Sequence, residues 1–403
     1  MPDTYFQNWL ARFNLPNSPL PDRGSESTVK PNCESCLYIC LWNKLDEQIR
    51  PVDHFTQNRI NQQELILNHH FIQKLATGNR FEVSVEMVES PSFYQHYGPI
   101  GRKHGKLLAT DAFIFYMGGS KINPPGSKPN VNDIITDEIN VYDIQLHNWI
   151  RMSTPMPRRL IHFGAVSMKK YIYIIGGFTD DTLTFSPDVP SKKVTIEGVT
   201  RKLAISTSIY YMNVDKYFDS KNEWTKLCDL PEPRTAFSVV TVDDRTLCVV
   251  GPDYCDVLDT DTCEWRSVEQ TSDFWKNSKE APAVANIGSV LYIVNPRKKG
   301  KDNTIWTIDL LDEPQPSWKK LENPLKLSYD PRHLFVHNGC LYLIGDASED
   351  GDEERKNVCF EYDRRTKKWE NLHSGFTGQF TPNSGVFVRK QLVKDYFFGE
   401  LKS

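Results

Sequence analysis

The chain has 403 residues, of which 39% are hydrophobic and 12% aromatic, and its formal net charge is -4. So small a charge argues against nucleic acid or an anionic membrane surface as the partner, and no apolar run reaches the about 20 residues that a membrane-spanning helix needs. An odd number of cysteines and the absence of any Asn-x-Ser/Thr sequon are typical of a reduced, intracellular protein.

Residues 1–33 are expected to form an N-terminal arm. Phe6, Trp9, Leu10 and Phe13 have the spacing of a short amphipathic helix, and the following residues are rich in proline, serine and charge, as in a linker. Two interpretations stay open. The arm docks on its own domain, or it is a free peptide that recruits a partner.

The segment after the arm predicts two strands and a helix. Residues 35–42 are apolar and aromatic, which favours a strand. A helix is expected inside an insertion over residues 43–79, from the spacing of Leu65, Ile66, Phe71, Ile72 and Leu75. Strict alternation from Phe81 to Met87 then predicts a half-buried strand.

The most informative stretch covers residues 155–178. It predicts an outgoing strand over 161–168, a Lys-Lys turn, and a return strand over 171–175 that ends in Gly176-Gly177. A hairpin with a tyrosine on one arm and a tryptophan on the other lies upstream. Repetition of such a unit at intervals of about 40–50 residues is the mark of a propeller with one four-stranded sheet per repeat.

The repeat can be followed along the chain through two of its features. The fourth-strand tryptophans are Trp149, Trp224, Trp265, Trp318 and Trp369. The glycine pair is complete at Gly118-Gly119 and Gly176-Gly177, and the equivalent positions are Gly251-Pro252, Asn295-Pro296 and Gly345-Asp346. Glycines suit this position because the backbone turns sharply there.

This pattern resembles the kelch repeat, with Gly-Gly closing the second strand, a tyrosine in the third and a tryptophan in the fourth. The resemblance implies an all-β fold, a six-bladed kelch-type β-propeller over residues 34–403. Five blades are complete, and the sixth is expected to combine strands from residues 34–88 with strands from residues 384–400. Joining the chain ends in one sheet would pair strand edges that otherwise favour aggregation.

When the repeats are aligned with one another, the segments that lead into their first strands are expected to emerge on one face of the propeller, around the mouth of its central channel. The basic residues predicted to form a binding surface there are Arg102, Arg158, Arg159, Arg234, Arg332, His104, His162 and His333. An arginine can clamp carboxylates or phosphates through paired hydrogen bonds. The resemblance to kelch-type substrate receptors implies acidic peptides as ligands. The alternative is that each arginine ties down its own loop.

Two long loops, 120–137 and 178–207, are predicted on the same face. Loops of this length are usually functional or disordered, so they are candidates for partner specificity, with disorder as the alternative. Cys33, Cys36, Cys40 and His54 have a spacing that admits zinc only weakly, because two of the cysteines lie in or beside an apolar strand. No metal and no cofactor are therefore expected.

The function predicted from these features is that of a non-enzymatic scaffold or adaptor. It would present a basic face and long loops to a protein partner with an acidic or phosphorylated segment, in the cytoplasm or alternatively the nucleus. A recognition or regulatory subunit of a ubiquitin ligase or signalling complex fits this class. The alternative is a kelch-type enzyme, similar to sugar isomerases, that acts on a small polar molecule at the channel mouth.

Overall fold

The structure is a computed structural model of the chain. It describes strands at residues 35–43, 71–77, 86–87 and 380–389, and residues 102–371 with gaps at 111–112, 122–133, 144–147, 153, 181–188, 197–198, 217–221, 253, 270–280, 295–304, 313–315, 322–328, 338–339, 348–355, 365 and 372–379. The chain divides into two units, Met1–Cys33 and Glu34–Ser403. The predicted arm, residues 1–33, lies outside the described residues.

Three strands precede the first complete repeat. They are β1 (Ser35–Asn43), β2 (Phe71–Thr77) and β3 (Glu86–Met87). β2 pairs antiparallel with β1, with Leu37 opposite Leu75, and β3 pairs with β2. The helix predicted around Leu75 is therefore wrong over Phe71–Thr77, because pairing with an apolar strand outweighs the local helical spacing.

The first sheet follows, with a two-stranded ribbon beside it. Its strands are β5 (Lys106–Ala109), β6 (Phe113–Met117), β8 (Ile139–Asp143) and β9 (Asn148–Arg151). The ribbon joins β4 (Arg102–Lys103) to β7 (Ser120–Lys121). All pairings are antiparallel, in the order β5-β6-β8-β9.

The second sheet carries a smaller sheet in its long insertion. Its four strands are β10 (Gly164–Met168), β11 (Tyr171–Ile175), β15 (Ser208–Asn213) and β16 (Thr225–Asp229). The insertion forms the accessory sheet, from β12 (Phe178–Thr179), β13 (Ser191–Ile196) and β14 (Val199–Ile205). A short 3-10 helix, Val214–Lys216, follows β15.

Three more four-stranded antiparallel sheets complete the middle of the chain. The third comprises β17 (Ser238–Thr241), β18 (Thr246–Val250), β19 (Cys255–Asp259) and β20 (Glu264–Ser267). The fourth comprises β21 (Ala283–Ile287), β22 (Val290–Val294), β23 (Ile305–Asp309) and β24 (Lys319–Lys320). The fifth comprises β25 (Tyr329–His337), β26 (Cys340–Ala347), β27 (Lys356–Asp363) and β28 (Lys368–Asn371).

The last described strand, β29 (Phe380–Arg389), returns to the start of the chain. It pairs antiparallel with β1, with Leu37 opposite Phe387, in a terminal sheet of order β29-β1-β2-β3. In the described part of the chain this sheet takes three strands from the N-terminal side and one from the C-terminal side. Two strands from each side were expected, and the second expected C-terminal strand, over 393–399, lies outside the described residues.

The described residues thus form an all-β structure with six four-stranded sheets. The first strands of successive sheets are neighbours: β5 contacts β10, β10 contacts β17, β17 contacts β21, β21 contacts β25, β25 contacts β29, and β29 contacts β5. In the described part of the chain, no helix has the length and apolar character to cross a bilayer.

The hydrophobic core lies between neighbouring sheets, which explains the continuous apolar second strands. In β11, Ile172 and Ile174 pack toward the first sheet, whereas Tyr173 and Ile175 pack toward the third. Successive side chains of a strand point to opposite faces. A strand with a sheet on each side therefore has no solvent-facing row, and its sequence shows no alternation.

The glycine pairs have the same backbone geometry in the first two sheets. Gly118 and Gly176 each have φ of 56°, and the following glycines, Gly119 and Gly177, have φ of 99° and 96°. A β-carbon at Gly118 would lie 2.6 Å from Met156 and 2.8 Å from Phe163. The position therefore requires glycine for its left-handed conformation and for its close packing.

The repeat tryptophans connect one sheet to the preceding one. Trp265 donates its indole N–H to the carbonyl of Asp229, in the second sheet, at 3.1 Å. Trp318 makes the equivalent bond to Glu269, just after the third sheet, at 2.9 Å. Trp224 and Trp369 pack against the cores of their own regions. The side chain of Trp149 lies outside the described residues, although its backbone pairs with Tyr142.

Candidate functional site

The candidate site is the face formed by the lead-in segments, the residues directly before the first strand of each sheet. Backbone hydrogen bonds fix one of these segments, the lead-in segment of the second sheet, in place. Gly119 N–H donates to the carbonyl of Leu160 at 2.9 Å, and Ile161 and Phe178 exchange bonds of 3.0 and 2.8 Å. The lead-in segment of the second sheet is thus fixed between the loops that leave the first and second sheets.

A left-handed residue recurs in three successive lead-in segments. His104 has φ of 60°, His162 has φ of 51° and Ala236 has φ of 59°. Non-glycine residues in this region are uncommon, and such strain is often found at functional sites. Here the alanine occupies the same position as the histidines, so the conformation belongs to the repeat. The imidazole side chains at two of the three positions, rather than the backbone conformation, are the feature particular to these segments.

His104 and His162 form a contact that we call the His pair. Their ring centroids lie 4.1 Å apart at 38°, and the ring of Phe178 packs edge-on against His162 with centroids 6.1 Å apart. Desolvation by the surrounding protein lowers the pKa of His162 to about 3, with further contributions from His104 and from the charge of Lys106. Burial likewise lowers the pKa of Lys106. The pair therefore lies in a region that disfavours its own positive charge.

Arg102 anchors its own segment. It is fully buried, and its guanidinium carbon lies 4.3 Å from the ring centroid of Tyr116. It donates to the carbonyls of Glu138 at 2.9 Å and Tyr116 at 3.2 Å, and to Asn140 Oδ1 at 2.6 Å. The Tyr116 hydroxyl in turn donates to the Arg102 carbonyl at 2.8 Å. This geometry corresponds to the loop-anchoring alternative for this arginine.

Arg234 repeats the arrangement in the third sheet. Its guanidinium carbon lies 4.0 Å from the ring centroid of Tyr254. It pairs with Asp256 Oδ2 at 3.3 Å and with Glu232 Oε2 at 3.3 Å. Asp256 is the second residue of β19, as Asn140 is the second residue of β8. The two arginines thus fill the same structural position, and each holds the third strand of its own sheet.

The remaining predicted residues have different surroundings. Arg159 Nε lies 3.2 Å from Asp180 Oδ1, whereas Arg158, partly exposed, makes no hydrogen bond or ion pair with the described part of the chain. The ring of His333, within β25, lies 5.9 Å from that of Phe335. The side chain of Arg332 is outside the described residues. The structure therefore brings His104 and His162 together, while the binding role of the eight residues stays a prediction.

The accessory sheet adds an ordered element to this face. Ile196 and Leu203 are buried against Ile134 and Ile135, from the long loop of the first sheet, and against Phe178. Asp180 receives a second ion pair from Arg201, at 3.7 Å. The described residues of the 178–207 insertion are therefore folded, and the alternative of disorder is wrong for them.

Thiol and metal chemistry finds little support among the described residues. Burial raises the pKa of Cys228 to about 12. The Cys248 pKa is also raised, by its contact with Cys255 at 3.5 Å and by burial. Thiols of this kind are protonated at neutral pH and poorly nucleophilic. No group of three or more metal-ligating side chains occurs in the part of the chain that the structure describes. The side chains of Cys33, Cys36, Cys40 and His54 lie outside that part.

Comparison with known proteins shows a partial similarity to a Kelch-like protein. No protein-family model matches the chain. It is 24% identical over 229 residues to Kelch-like protein 41a of Danio rerio. The match covers 54% of this chain and 33% of the relative, so the chain spans about a third of that protein's length. With the all-β structure, this similarity supports the kelch repeat and the β-propeller class.

Several residues of this face were not anticipated from the sequence. They are Lys106, whose charge contributes to the lowered pKa of His162, and the strands β13 and β14. A usable signal was present for the strands, because runs rich in Val, Thr and Ile flank Glu197-Gly198, a pattern that favours a hairpin. No local signal indicates Lys106, because its influence depends on the approach of two lead-in segments that are distant in the sequence.

Proposed function

We propose that the protein is a non-enzymatic scaffold whose lead-in face binds an acidic or phosphorylated segment of a protein partner. We further propose that its six sheets form a six-bladed propeller, closed by pairing of the terminal strands β1 and β29. Support for the propeller comes from the circuit of neighbouring first strands and from the pairing of β29 with β1. The similarity to a Kelch-like protein supports a role in protein interaction.

The observation that carries the binding proposal is the contact between His104 and His162 beside the charge of Lys106. In the free protein, the lowered pKa values of His162 and Lys106 mean that their protonated forms are disfavoured. A carboxylate or phosphate placed between them would reverse this effect, because an opposite charge favours the protonated forms. Binding of an anion and uptake of a proton would therefore support each other.

Arg158 adds a second source of specificity. It lies in the lead-in segment that carries His162, is partly exposed, and has no ion-pair partner among the described residues. A guanidinium in this state can form a paired hydrogen bond with an incoming carboxylate without first breaking a contact to the described residues. We therefore assign partner recognition to Arg158 and the His pair, and loop anchoring to Arg102 and Arg234.

The scaffold would act as a recognition or regulatory subunit of a larger assembly, such as a ubiquitin ligase or signalling complex. We propose the cytoplasm as its location, with the nucleus as the alternative.

The test is affinity purification of the full chain from its native cell, followed by mass spectrometry. Wild type is compared with Arg158→Glu and with Lys320→Glu, which makes the same charge change on the exposed outer strand β24. We expect a specific set of partners to be lost with Arg158→Glu and kept with Lys320→Glu. Equal recovery with all three chains would overturn the assignment of the face, and recovery of no partner by wild type would overturn the scaffold itself.

A kelch-type enzyme is the second candidate, and one observation favours it. A neutral imidazole next to a lysine of lowered pKa is a combination found in acid–base catalysis. Thermal unfolding in the presence of a panel of sugars and sugar phosphates separates the two functions. Saturable stabilisation by one sugar, lost in His162→Asn, would favour the enzyme; stabilisation by none is the result expected for the scaffold.

A further inference from the structure

Strand β13 lies at the outer edge of the accessory sheet. The order of this sheet is β12-β14-β13, so in the described part of the chain β13 pairs on one side only. A strand at the edge of a sheet directs alternate N–H and C=O groups outward, where another strand can pair with them. Recognition of an extended peptide by such an edge is a common mode of protein binding.

The inner face of the β13–β14 hairpin holds this edge in place. Ile196 and Leu203 are buried on that face, and Val194 and Val199 are partly buried beside them. The N–H of Ile205 donates to the carbonyl of Pro190 at 2.8 Å. The edge is therefore ordered before any partner arrives, which reduces the entropy lost on binding.

The outer face of the hairpin has an unfavourable charge arrangement. Lys193 lies directly opposite Lys202, and both side chains are exposed. Neither lysine makes an ion pair with the described part of the chain. Beside them, the hydroxyls of Thr195 and Thr200 lie 2.9 Å apart. Like charges that face each other across two strands destabilise the pair, so this face costs stability in the free protein.

A local stability cost on a folded, exposed element calls for a compensating ligand. We propose that β13 is a docking edge for an acidic, extended segment of a partner protein, which adds to the accessory sheet as a further strand. Backbone groups of β13 hydrogen-bond the segment, and Lys193 and Lys202 attract its carboxylates. The inference rests on the proposed scaffold function and identifies a second contact for the same partner.

The geometry specifies the pattern of the partner segment. Side chains of a strand alternate between the two faces of its sheet, and Lys193 and Lys202 lie on the same face because they are directly opposite. The partner's acidic residues must therefore lie on this face, so that any two of them are an even number of positions apart. The residues between them face the inner side and are best small or β-branched, such as threonine or valine.

The test uses a fluorescein-labelled peptide in which glutamate alternates with threonine and valine. Its binding to the full chain is measured by fluorescence anisotropy. We expect saturable binding that weakens as salt is raised. Lys193→Glu/Lys202→Glu should weaken binding by at least about tenfold. This variant keeps a like-charge pair in the hairpin, so its folding stability should match wild type. Lys320→Glu/Lys368→Glu, on the outer strands of other sheets, makes the same charge change and should leave binding unchanged.

The single variant Lys193→Glu separates binding from structure. It places a glutamate opposite Lys202, which should stabilise the hairpin. The same change should weaken binding of the peptide. A residue with only a structural role would not move these two measurements in opposite directions. If Lys193→Glu lowers stability and binding together, the docking role of the lysines is wrong.

Peptide N-methylation tests the strand pairing itself. Two peptides are compared, each methylated on one of the two alternate sets of backbone nitrogens. Strand addition requires only the set that faces β13, so one peptide should lose binding and the other should retain it. Equal binding of both would show simple charge attraction and overturn the docking edge. Retention of cellular partners by Lys193→Glu/Lys202→Glu, with their loss in Arg158→Glu, would reject the edge and leave the scaffold intact.

Discussion

Arg234 Nη2 and Asp256 Oδ2 lie 3.3 Å apart, and the equivalent positions of the first sheet carry Arg102 and Asn140, 2.6 Å apart. The two contacts share a tyrosine ring beneath the guanidinium and a partner at the second position of the third strand. An arginine in a lead-in segment is thus a structural element of the repeat in at least two sheets. Function should be sought in the basic residues outside this arrangement.

The first prediction concerns the roles of these arginines. Arg234→Ala leaves the Asp256 carboxylate, only 2% exposed, without its counter-charge, and Ser267 remains as a donor at 2.7 Å. We expect a loss of about 3 kcal/mol in the free energy of unfolding. Arg158→Ala removes no described contact and should cost less than about 0.5 kcal/mol. Urea unfolding, followed by tryptophan fluorescence, measures the free energy of unfolding of both variants. Similar losses of stability would contradict the anchoring role of Arg234.

The second prediction separates backbone strain from packing at the glycines. Gly118 and Gly288 have nearly equal φ, 56° and 60°, but a β-carbon meets nothing within 4 Å at Gly288. Gly288→Ala should therefore cost about 1 kcal/mol, the price of the left-handed conformation alone. Gly118→Ala adds overlap with Met156 and Phe163, and we expect at least about 2 kcal/mol more. Thermal unfolding of the two variants provides the comparison; equal losses would show that the site repacks freely.

The third prediction concerns the tryptophans between sheets. Trp265→Phe removes the indole bond to Asp229, whereas the buried indole N–H of Trp224 has no hydrogen-bond partner in the described part of the chain. Both substitutions remove similar volume. Trp265→Phe should therefore be more destabilising by about 1 kcal/mol, the net contribution of one hydrogen bond. Chemical denaturation at equilibrium tests this, and a larger loss for Trp224→Phe would mean that packing outweighs the bond.

The fourth prediction follows from the pKa of His162. It is about 3 in the folded protein, against a usual value of 6.5. Well above pH 6.5, His162 is neutral in both the folded and the unfolded protein, so its lowered pKa does not affect stability. As the pH falls from 6.5 toward 3, the unfolded chain takes up the proton first, so stability is lost in this window.

The matched variant is His162→Asn, because asparagine tolerates the left-handed backbone. Its urea midpoint should decrease less than that of wild type between pH 7 and pH 4. Since the His162 side chain is exposed to solvent, solvent screening should leave only part of the full linkage effect. The same dependence in both proteins would assign the acid sensitivity to other groups.

The amino-acid sequence by itself determined the repeat. Strands β10 and β11, the glycines at 118–119 and 176–177, and the tryptophan positions follow from local patterns, because alternation, turns and left-handed glycines are set by neighbouring residues. The resemblance to kelch repeats rests on the same local features. For the pairing of β1 with β29, the sequence predicted only that the incomplete sets of strands at the two chain ends would join in one sheet.

The tertiary structure decided which contacts the basic residues make. Arg102, Arg158 and Arg234 all lie in basic lead-in segments, yet only packing separates the anchoring arginines from Arg158. Residues 71–77 formed a strand because β1 was available to pair with them, and the hairpin β13–β14 folded because Ile134 and Phe178 supplied a core. Burial and charge depend on residues distant along the chain, and that distance is the physical reason why the candidate site could not be read from local sequence.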